Sequence, residues 1–406
     1  MPERRPSKLI RWLAGIVLAG LLLRLLRYGL HFELFVDEAF LVTNAMESGY
    51  RQLLRGPLAH GQVAPPLFLW LIRWCDAVGG DEWTLRLPSL LAGLGSVFLF
   101  ARTCRLLLRG SERWLALAVF SMSHVPILQS SRAKPYSLDL FLATLLTYLG
   151  VCLLLKPARE RPLAWLCVVA PLALWFSYTT AFVSAALALL VAASPSASRG
   201  SPRMSQGTGA PDVSRDPAVA GVPTLLERVV FPSLLVASGL ALYVANILPT
   251  IGNLPTMSGM MEFWASGFPP GNPLHWPWWL LQAQTGRGFA WPVGDQHFAS
   301  TVTFLFWAMG VGACWRRCDR RLLVLLLLPQ ALLLAAAFCR LYPYGGNLRL
   351  ILFLGPNLAI LMAIGARWLS RRFGHRGRDA TLRILTGSLV AVGLGQLGLA
   401  LHARSR

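Results

Sequence analysis

The chain has 406 residues, 55% of them hydrophobic and only 14% charged, and its mean hydropathy is positive. A soluble domain of this length needs more polar surface than that. The net charge of +20 comes from basic residues in short clusters between apolar runs, where they set topology, so a nucleic-acid partner is excluded.

Apolar runs of about 17 residues or more recur along the chain, flanked by Arg, which is the pattern of a polytopic α-helical membrane protein. The first, over 10–29, reads as a span and not as a cleavable signal, because it continues through Arg24 and Arg27 and no A-x-A-like site follows. Both arginines lie below the outer mouth of that span, placed to snorkel, to pair with nearby acids or to reach a phosphate. Residues 31–42, "HFELFVDEAFLV", set Glu33, Asp37 and Glu38 just beyond it, in a chain with only 18 acidic residues. Asp37 and Glu38 open an amphipathic stretch in which Leu41, Ala45 and Met46 recur at helical spacing, as do Tyr50, Leu53 and Leu54. This predicts a helix on the outer membrane surface. Acids in a first helical turn are favoured by the macrodipole, so capping and general-base roles both fit these carboxylates.

The basic clusters at 1–11, 101–113, 156–162, 315–321 and 366–379 all belong in the cytoplasm by the positive-inside rule. That demand decides two segments. Residues 63–80, "VAPPLFLWLIRWCDAVGG", begin with Pro65-Pro66 and carry Arg73; if they crossed, the 101–113 cluster would face outside, so they are read as an interfacial helix. Residues 162–193 must break near Pro171 and Ser177-Tyr178 into two short spans. The predicted spans are then 10–29, 85–101, 114–130, 137–155, 162–176, 178–193, 227–247, 299–314, 322–338, 349–366 and 381–401, about eleven in all, with the N-terminus inside. Residues 194–226 have the composition of a disordered cytoplasmic linker. They divide an N-terminal catalytic module, 1–193 with external loop 31–84, from a C-terminal module, 227–406 with external loop 248–298. The seven cysteines lie mostly in or beside apolar runs and read as small buried hydrophobes, with no zinc or disulfide framework.

Four segments share the outer face. Loop 31–86 holds seven acids (Glu33, Asp37, Glu38, Glu47, Asp76, Asp81, Glu82) against four Arg. "SSRAKPY", 130–136, places Arg132, Lys134 and Tyr136 where cations run against the topology bias; a lipid-linked phosphate at the outer leaflet supplies the reason, ordinary headgroups the alternative. "CRLYPYGGNLR", 339–349, brings Tyr342, Tyr344 and Arg349. Loop 248–298 is rich in Trp, Pro and Gly and carries Glu262; its aromatics suit a sugar face or an interfacial belt equally. His60, in "HGQVAPPL", is placed to orient a carboxylate or a substrate hydroxyl.

In order along the chain, four pieces resemble the polytopic GT-C glycosyltransferases that use polyprenyl-phosphate sugars, among them the protein O-mannosyltransferases and the aminoarabinose transferases of lipid A. "FVDEAF" follows the first span, where that superfamily has an Asp-Glu pair. "VAPPLFLWL" and "EWTLRLPSLLAGLGSVFLFARTCRLL" are similar to its Pro-Pro-Leu block and the helix after it. "ILQSSRAKPYSLDLFLAT" resembles its basic, Pro-Tyr-containing stretch, and "YGGNLRLILFLGPNLAIL" its late span. Departures are Leu350 where an aromatic often follows the Arg, Ala64 where a His often precedes Pro-Pro, and a short late external loop.

The resemblance implies an all-α GT-C membrane fold and an inverting transfer of a sugar from a polyprenyl-phosphate donor to an acceptor hydroxyl of a lipid, glycan or protein. It implies Asp37 as the base, with Glu38 orienting it or a divalent ion, and Arg132, Lys134, Tyr136 and Arg349 on the donor phosphate. His60, Tyr342, Tyr344 and Glu262 are the candidates for substrate contact. No cofactor is required and a metal is left open. The bilayer is the other partner, and an inner or plasma membrane with the site facing the periplasm or exterior is the expected location. A transporter or flippase is the rival reading; it would bury ionisable residues near the midplane of its spans and repeat itself internally, whereas here Asp139 lies near a span end and no repeat is visible.

Overall fold

The computed structural model describes residues 8–155, 162–193, 225–291, 298–317 and 319–371, with isolated backbone positions at 387, 391, 395 and 398. The linker over 194–226, apart from its last two residues, lies outside the described residues, as do the basic segment 156–161 and nearly all of the expected last span, 381–401.

The described chain is helical throughout. A first long helix, α1 (Lys8–Gly29), leads to the first long loop. That loop folds into α2 (Val36–Glu47), α3 (Tyr50–Arg55) and α4 (Pro66–Val78). The bundle continues with α5 (Glu82–Leu107), α6 (Ser111–Met122), α7 (His124–Gln129) and α8 (Tyr136–Leu155). Then come α9 (Pro162–Phe176), α10 (Thr180–Ala192) and α11 (Leu225–Leu242), the last prolonged by a π turn over Tyr243–Ile247 and a final turn, Leu248–Ile251. In the second long loop are α12 (Leu254–Phe263) and α13 (Trp276–Thr285). Finally α14 (Thr301–Arg316), α15 (Arg320–Phe338), a 3-10 helix over Leu348–Leu354 and α16 (Gly355–Ser370) close the described chain.

Five described helical stretches are long and apolar enough to cross a membrane: Glu82–Leu107, Tyr136–Leu155, Arg228–Ile251, Arg320–Phe338 and Leu348–Ser370. The other expected spans form helices that are shorter or more charged. The break expected within 162–193 is there, at Ser177–Thr179 between α9 and α10. The span expected at 114–130 is two pieces, α6 and α7, parted at Ser123, since Pro126 cannot continue the amide ladder of the helix before it. The stretch Leu348–Ser370 is 94% buried and is the bundle's central element, whereas Arg228–Ile251 is 17% buried and peripheral. Large apolar side chains point outward from several helices, including Leu22 of α1, Leu91 and Phe98 of α5, Trp165 and Val168 of α9 and Leu240 of α11. Such an exposed apolar belt on a helical bundle is covered by lipid, and the chain is a multi-pass membrane protein.

Two glycines explain the tightest crossing. Gly310 of α14 and Gly365 of α16 lie against each other's backbones, so that a Cβ at either would collide with the partner helix. Small residues at membrane-helix interfaces let backbones approach this closely and pack.

The first long loop has its own small core. Leu41, Val42 and Ala45 of α2, Leu53 of α3 and Phe68, Leu69 and Ile72 of α4 pack together with Leu85 and Ala133. At 13 residues α4 is too short to span, and it lies against α2, α3 and α5. The interfacial stretch is therefore two helices and not one: the chain breaks at Ser48-Gly49, and Met46 and Tyr50 face outward while Leu41, Ala45 and Leu53 are buried. Arg73 fastens the break by donating to the carbonyls of Ala45, Met46 and Ser48 at 2.7–2.9 Å.

Candidate active site

Three segments far apart in the sequence meet at one end of the bundle. Asp37 is the second residue of α2. Phe35 is its N-cap, with extended dihedrals, and carries no side-chain acceptor. Glu38 supplies the acceptor instead: its Oε2 takes the Phe35 N–H at 3.0 Å. Its Oε1 takes the Ala133 N–H at 2.8 Å, and the side chain is fully buried. Glu38 thus ties the start of α2 to the loop that carries Arg132 and Lys134. The third segment is the 3-10 helix that begins after Asn347, whose Oδ1 accepts from the Arg349 N–H at 3.0 Å and starts the turn.

The side chains converge on one carboxylate oxygen. Arg349 Nη1 lies 3.1 Å from Asp37 Oδ2, and Lys134 Nζ lies 3.9 Å from the same atom. Lys134 Nζ also donates to Gln62 Oε1 at 2.9 Å. The guanidinium of Arg349 stands over the rings of Trp264 and Tyr136, 5.2 and 5.6 Å from their centroids. Its Nε is buried with no hydrogen-bond partner among the described residues. The site therefore holds two cations on a single carboxylate, with a donor to spare.

These groups line a cavity of about 430 Å³. Its other walls include Gly61, Pro65, Asp139, Tyr178, Thr179, Phe263, Tyr342 and Leu350. Burial pushes the Lys134 ammonium down to about 8, against the pull of Asp37 and with the help of Arg349. Burial likewise raises the Tyr342 phenol well above its ordinary value, so that it is a neutral hydroxyl, donating to the Leu350 carbonyl at 3.1 Å.

Of the residues singled out from sequence, Asp37, Lys134, Tyr136, Tyr342 and Arg349 come together on the cavity wall. Glu38 lies behind the wall as a structural tie. Arg132 is set back: its guanidinium sits over the Phe35 ring, 4.3 Å from the centroid. The remaining three lie off the wall. The His60 ring stacks on Phe40 at 4.6 Å in an exposed turn. The Tyr344 hydroxyl is taken by the amides of Gln284 and Gln330 at 2.9 and 2.8 Å. Glu262 is exposed on α12. Of the first-span arginines, Arg24 is fully buried and donates to the Gly20 and Ser121 carbonyls, and Arg27 stacks on Phe32.

Sequence reasoning missed Gln62, Asp139 and Tyr178. Asp139 carried a signal, being a lone acid in the first turn of an apolar helix. Tyr178 carried none: it reaches the Ala64 carbonyl at 2.9 Å and Asn246 Oδ1, and Asn246 in turn donates to the Leu54 carbonyl at 3.0 Å. The π turn in α11 presents Asn246 to this node.

The bundle, with its helical cap, has the GT-C fold. ArnT from Cupriavidus metallidurans bound to undecaprenyl phosphate superposes with a TM-score of 0.52 at 12% identity, over 96% of this chain and 71% of that one. The same ArnT in its apo state gives 0.52 at 12%, over 91% of this chain and 62% of that one, less than two thirds of its length. Residues 63–204 match the family described as dolichyl-phosphate-mannose-protein mannosyltransferase. That match takes in the Pro-Pro-Leu block, the basic loop and α8. No curated protein matches the chain. Fold and family segment agree with the resemblance of the motifs to the mannosyltransferase and aminoarabinose-transferase superfamily.

Proposed function

We propose that the chain is an inverting glycosyltransferase that moves a sugar from a polyprenyl-phosphate donor to an acceptor hydroxyl of a lipid, glycan or protein. The observation that carries this reading is the cavity in which Asp37 meets Arg349 and Lys134. A carboxylate supplies a base; a guanidinium and an ammonium beside it supply a seat for a phosphate. That ArnT binds undecaprenyl phosphate within the same fold supports the donor class.

In the step as proposed, the acceptor oxygen gives its proton to Asp37 and forms a bond to the anomeric carbon. The bond from that carbon to the phosphate oxygen breaks, and its electron pair leaves on the polyprenyl phosphate. Attack opposite to departure inverts the configuration. Arg349 and Lys134 turn from Asp37 to the phosphate and stabilise the charge developing there. Glu38 positions Asp37 by holding α2 to the 130–135 loop. A stable phosphate leaving group needs no general acid, and the step needs no cofactor.

The same reading divides the chain into a catalytic module over 1–193 and a second module over 227–406, joined by 194–226, and sets the cavity on the exterior side of the inner or plasma membrane. The absence of any Asn-x-Ser/Thr sequon favours a bacterial envelope. A membrane-impermeant thiol reagent applied to intact cells should label a cysteine placed at Gly271 and spare one at Arg105; the reverse pattern would overturn the orientation. For the activity, mass spectrometry of envelope lipids and glycans from a deletion strain should show one sugar missing and its polyprenyl-phosphate form accumulating. An unchanged glycan profile with an altered small-molecule uptake would point to a transporter instead.

A further inference from the structure

Arg24 is the most deeply buried cation among the described residues, at 0% exposure. It sits inside α1, more than a turn before the helix ends at Gly29. Its Nη1 donates to the carbonyls of Gly20 and Ser121, both at 2.9 Å. Ser121 is in the last turn of α6, where carbonyls lack a helical N–H to take them. A helix C-terminus favours a cation, so this contact offsets part of the charge.

The other edge of the guanidinium is unused. Nε and Nη2 form the edge on which arginine offers two parallel N–H groups to an anion. Both atoms are buried, and neither has a hydrogen-bond partner among the described residues. Nor does Arg24 pair with any described carboxylate. The buried hydroxyl of Ser121 is also without a partner among them. None of the three roles read from sequence fits this placement: Arg24 does not reach the surface, meets no acid and does not line the Asp37 cavity.

A buried charge inside a membrane bundle is strongly disfavoured unless an opposite charge meets it. Arginine does not escape by losing its proton. Water would satisfy the N–H groups and leave the charge uncompensated. The surroundings limit the size of a counter-ion. A Cβ at Gly93 of α5 would lie 3.6 Å from Arg24 Nε and 2.7 Å from the Ser130 Cβ. A Cβ at Gly20 would lie 2.7 Å from the Ser121 Cβ. Walls this close suit a single atom better than a phosphate or a lipid headgroup.

We propose that Arg24 holds a halide ion, chloride under ordinary conditions, between α1, α5 and α6. Arg24 Nε–H, Arg24 Nη2–H and the Ser121 hydroxyl are its donors. Ser130, packed on Gly93, begins the segment that carries Lys134, so the ion anchors the root of that segment. The proposal does not depend on the transferase reading.

The test is equilibrium dialysis of radiolabelled chloride against the full chain in nanodiscs of zwitterionic lipid. A Lys134→Gln/Arg349→Gln double variant removes the cations of the Asp37 cavity as a competing site. Wild type and double variant should both retain chloride, displaced by bromide and not by gluconate or inorganic phosphate. Arg24→Met, similar in volume and uncharged, should retain at least tenfold less, the loss expected of charge-assisted contacts. Ser121→Ala breaks no side-chain bond to a described residue, so it should fold, and should weaken retention about tenfold. With chloride replacing gluconate at fixed ionic strength, the wild-type thermal midpoint should rise by about 1–3 °C for each tenfold increase above the dissociation constant. Arg24→Met should not respond. Absence of chloride from wild type overturns the proposal and leaves water on the Arg24 edge. Chloride kept by Arg24→Met and lost from the double variant also overturns it, by placing the ion in the Asp37 cavity. Should Arg24→Met fail to fold, Ser121→Ala decides: retention equal to wild type contradicts the site.

Discussion

Asp37 and Arg349 are 312 positions apart in the chain and their side chains meet at 3.1 Å. The pairing joins the cap on the first outer loop to the 3-10 turn that opens the central helix. It occupies one of the two carboxylate oxygens of the proposed base, Oδ2. The Arg349→Ala variant should bind undecaprenyl phosphate at least tenfold more weakly, the loss expected for a charge-assisted contact. Arg349→Lys should recover part of that loss. Titration of the lipid into nanodiscs checks this; equal affinities in wild type and Arg349→Ala would remove Arg349 from the phosphate seat.

If Lys134 seats the donor phosphate as proposed, donor binding should depend on pH. Its folded value of about 8 lies below its ordinary 10.5. A bound phosphate draws the proton back, so affinity for undecaprenyl phosphate should fall as pH rises through 8, by up to roughly tenfold per pH unit for one linked proton. Stability should move the other way. Between pH 8 and 10.5 the unfolded chain binds more protons at this site than the folded one, so this group's contribution rises with pH there. Lys134→Arg, charged throughout, should flatten both trends. Binding and thermal unfolding measured in parallel from pH 7 to 9.5 separate this from a generic effect of alkali, which would lower both.

Glu38 is fully buried and spends both oxygens on backbone N–H groups. Glu38→Ala leaves the Phe35 and Ala133 donors unpaired, at a cost of about 3 kcal/mol or more in total. Glu38→Gln keeps one acceptor oxygen and should cost about half of that. Both should show as lowered thermal midpoints, with faster proteolysis of the 130–135 loop. A Glu38→Ala protein as stable as wild type would show that the tie between α2 and that loop is not needed.

The helices, the break between α9 and α10 and the surface position of α4 were legible because they follow from hydrophobic length and from where arginine is tolerated. The outer site was legible in part for the same reason. Lys134 and Arg349 stand out as cations in loops that the positive-inside rule assigns to the exterior, and Asp37 and Glu38 as acids just beyond an apolar run. Their pairing was not legible, since it depends on which turn of a distant helix faces α2. Tyr344 and His60 show the limit from the other side. An aromatic hydroxyl in an outer loop looks available until two glutamines from other segments, Gln284 and Gln330, are found on it. His60 sits at a positive φ of 58° and stacks on Phe40, a local turn conformation that composition does not reveal. Gln62 was missed because an amide is a common loop residue, and only Lys134 beside it makes it notable.

The most direct test of the central claim, that Asp37 is the base, is transfer by Asp37→Asn in purified protein with a polyprenyl-phosphate sugar donor. Asn keeps the shape, and the start of α2 is capped by Glu38 and not by Asp37, so α2 should form and the thermal midpoint should stay near wild type. It cannot take the acceptor's proton, so transfer should fall by roughly 10²–10⁴-fold while undecaprenyl phosphate still binds. Full transferase activity in a folded Asp37→Asn protein would contradict the account.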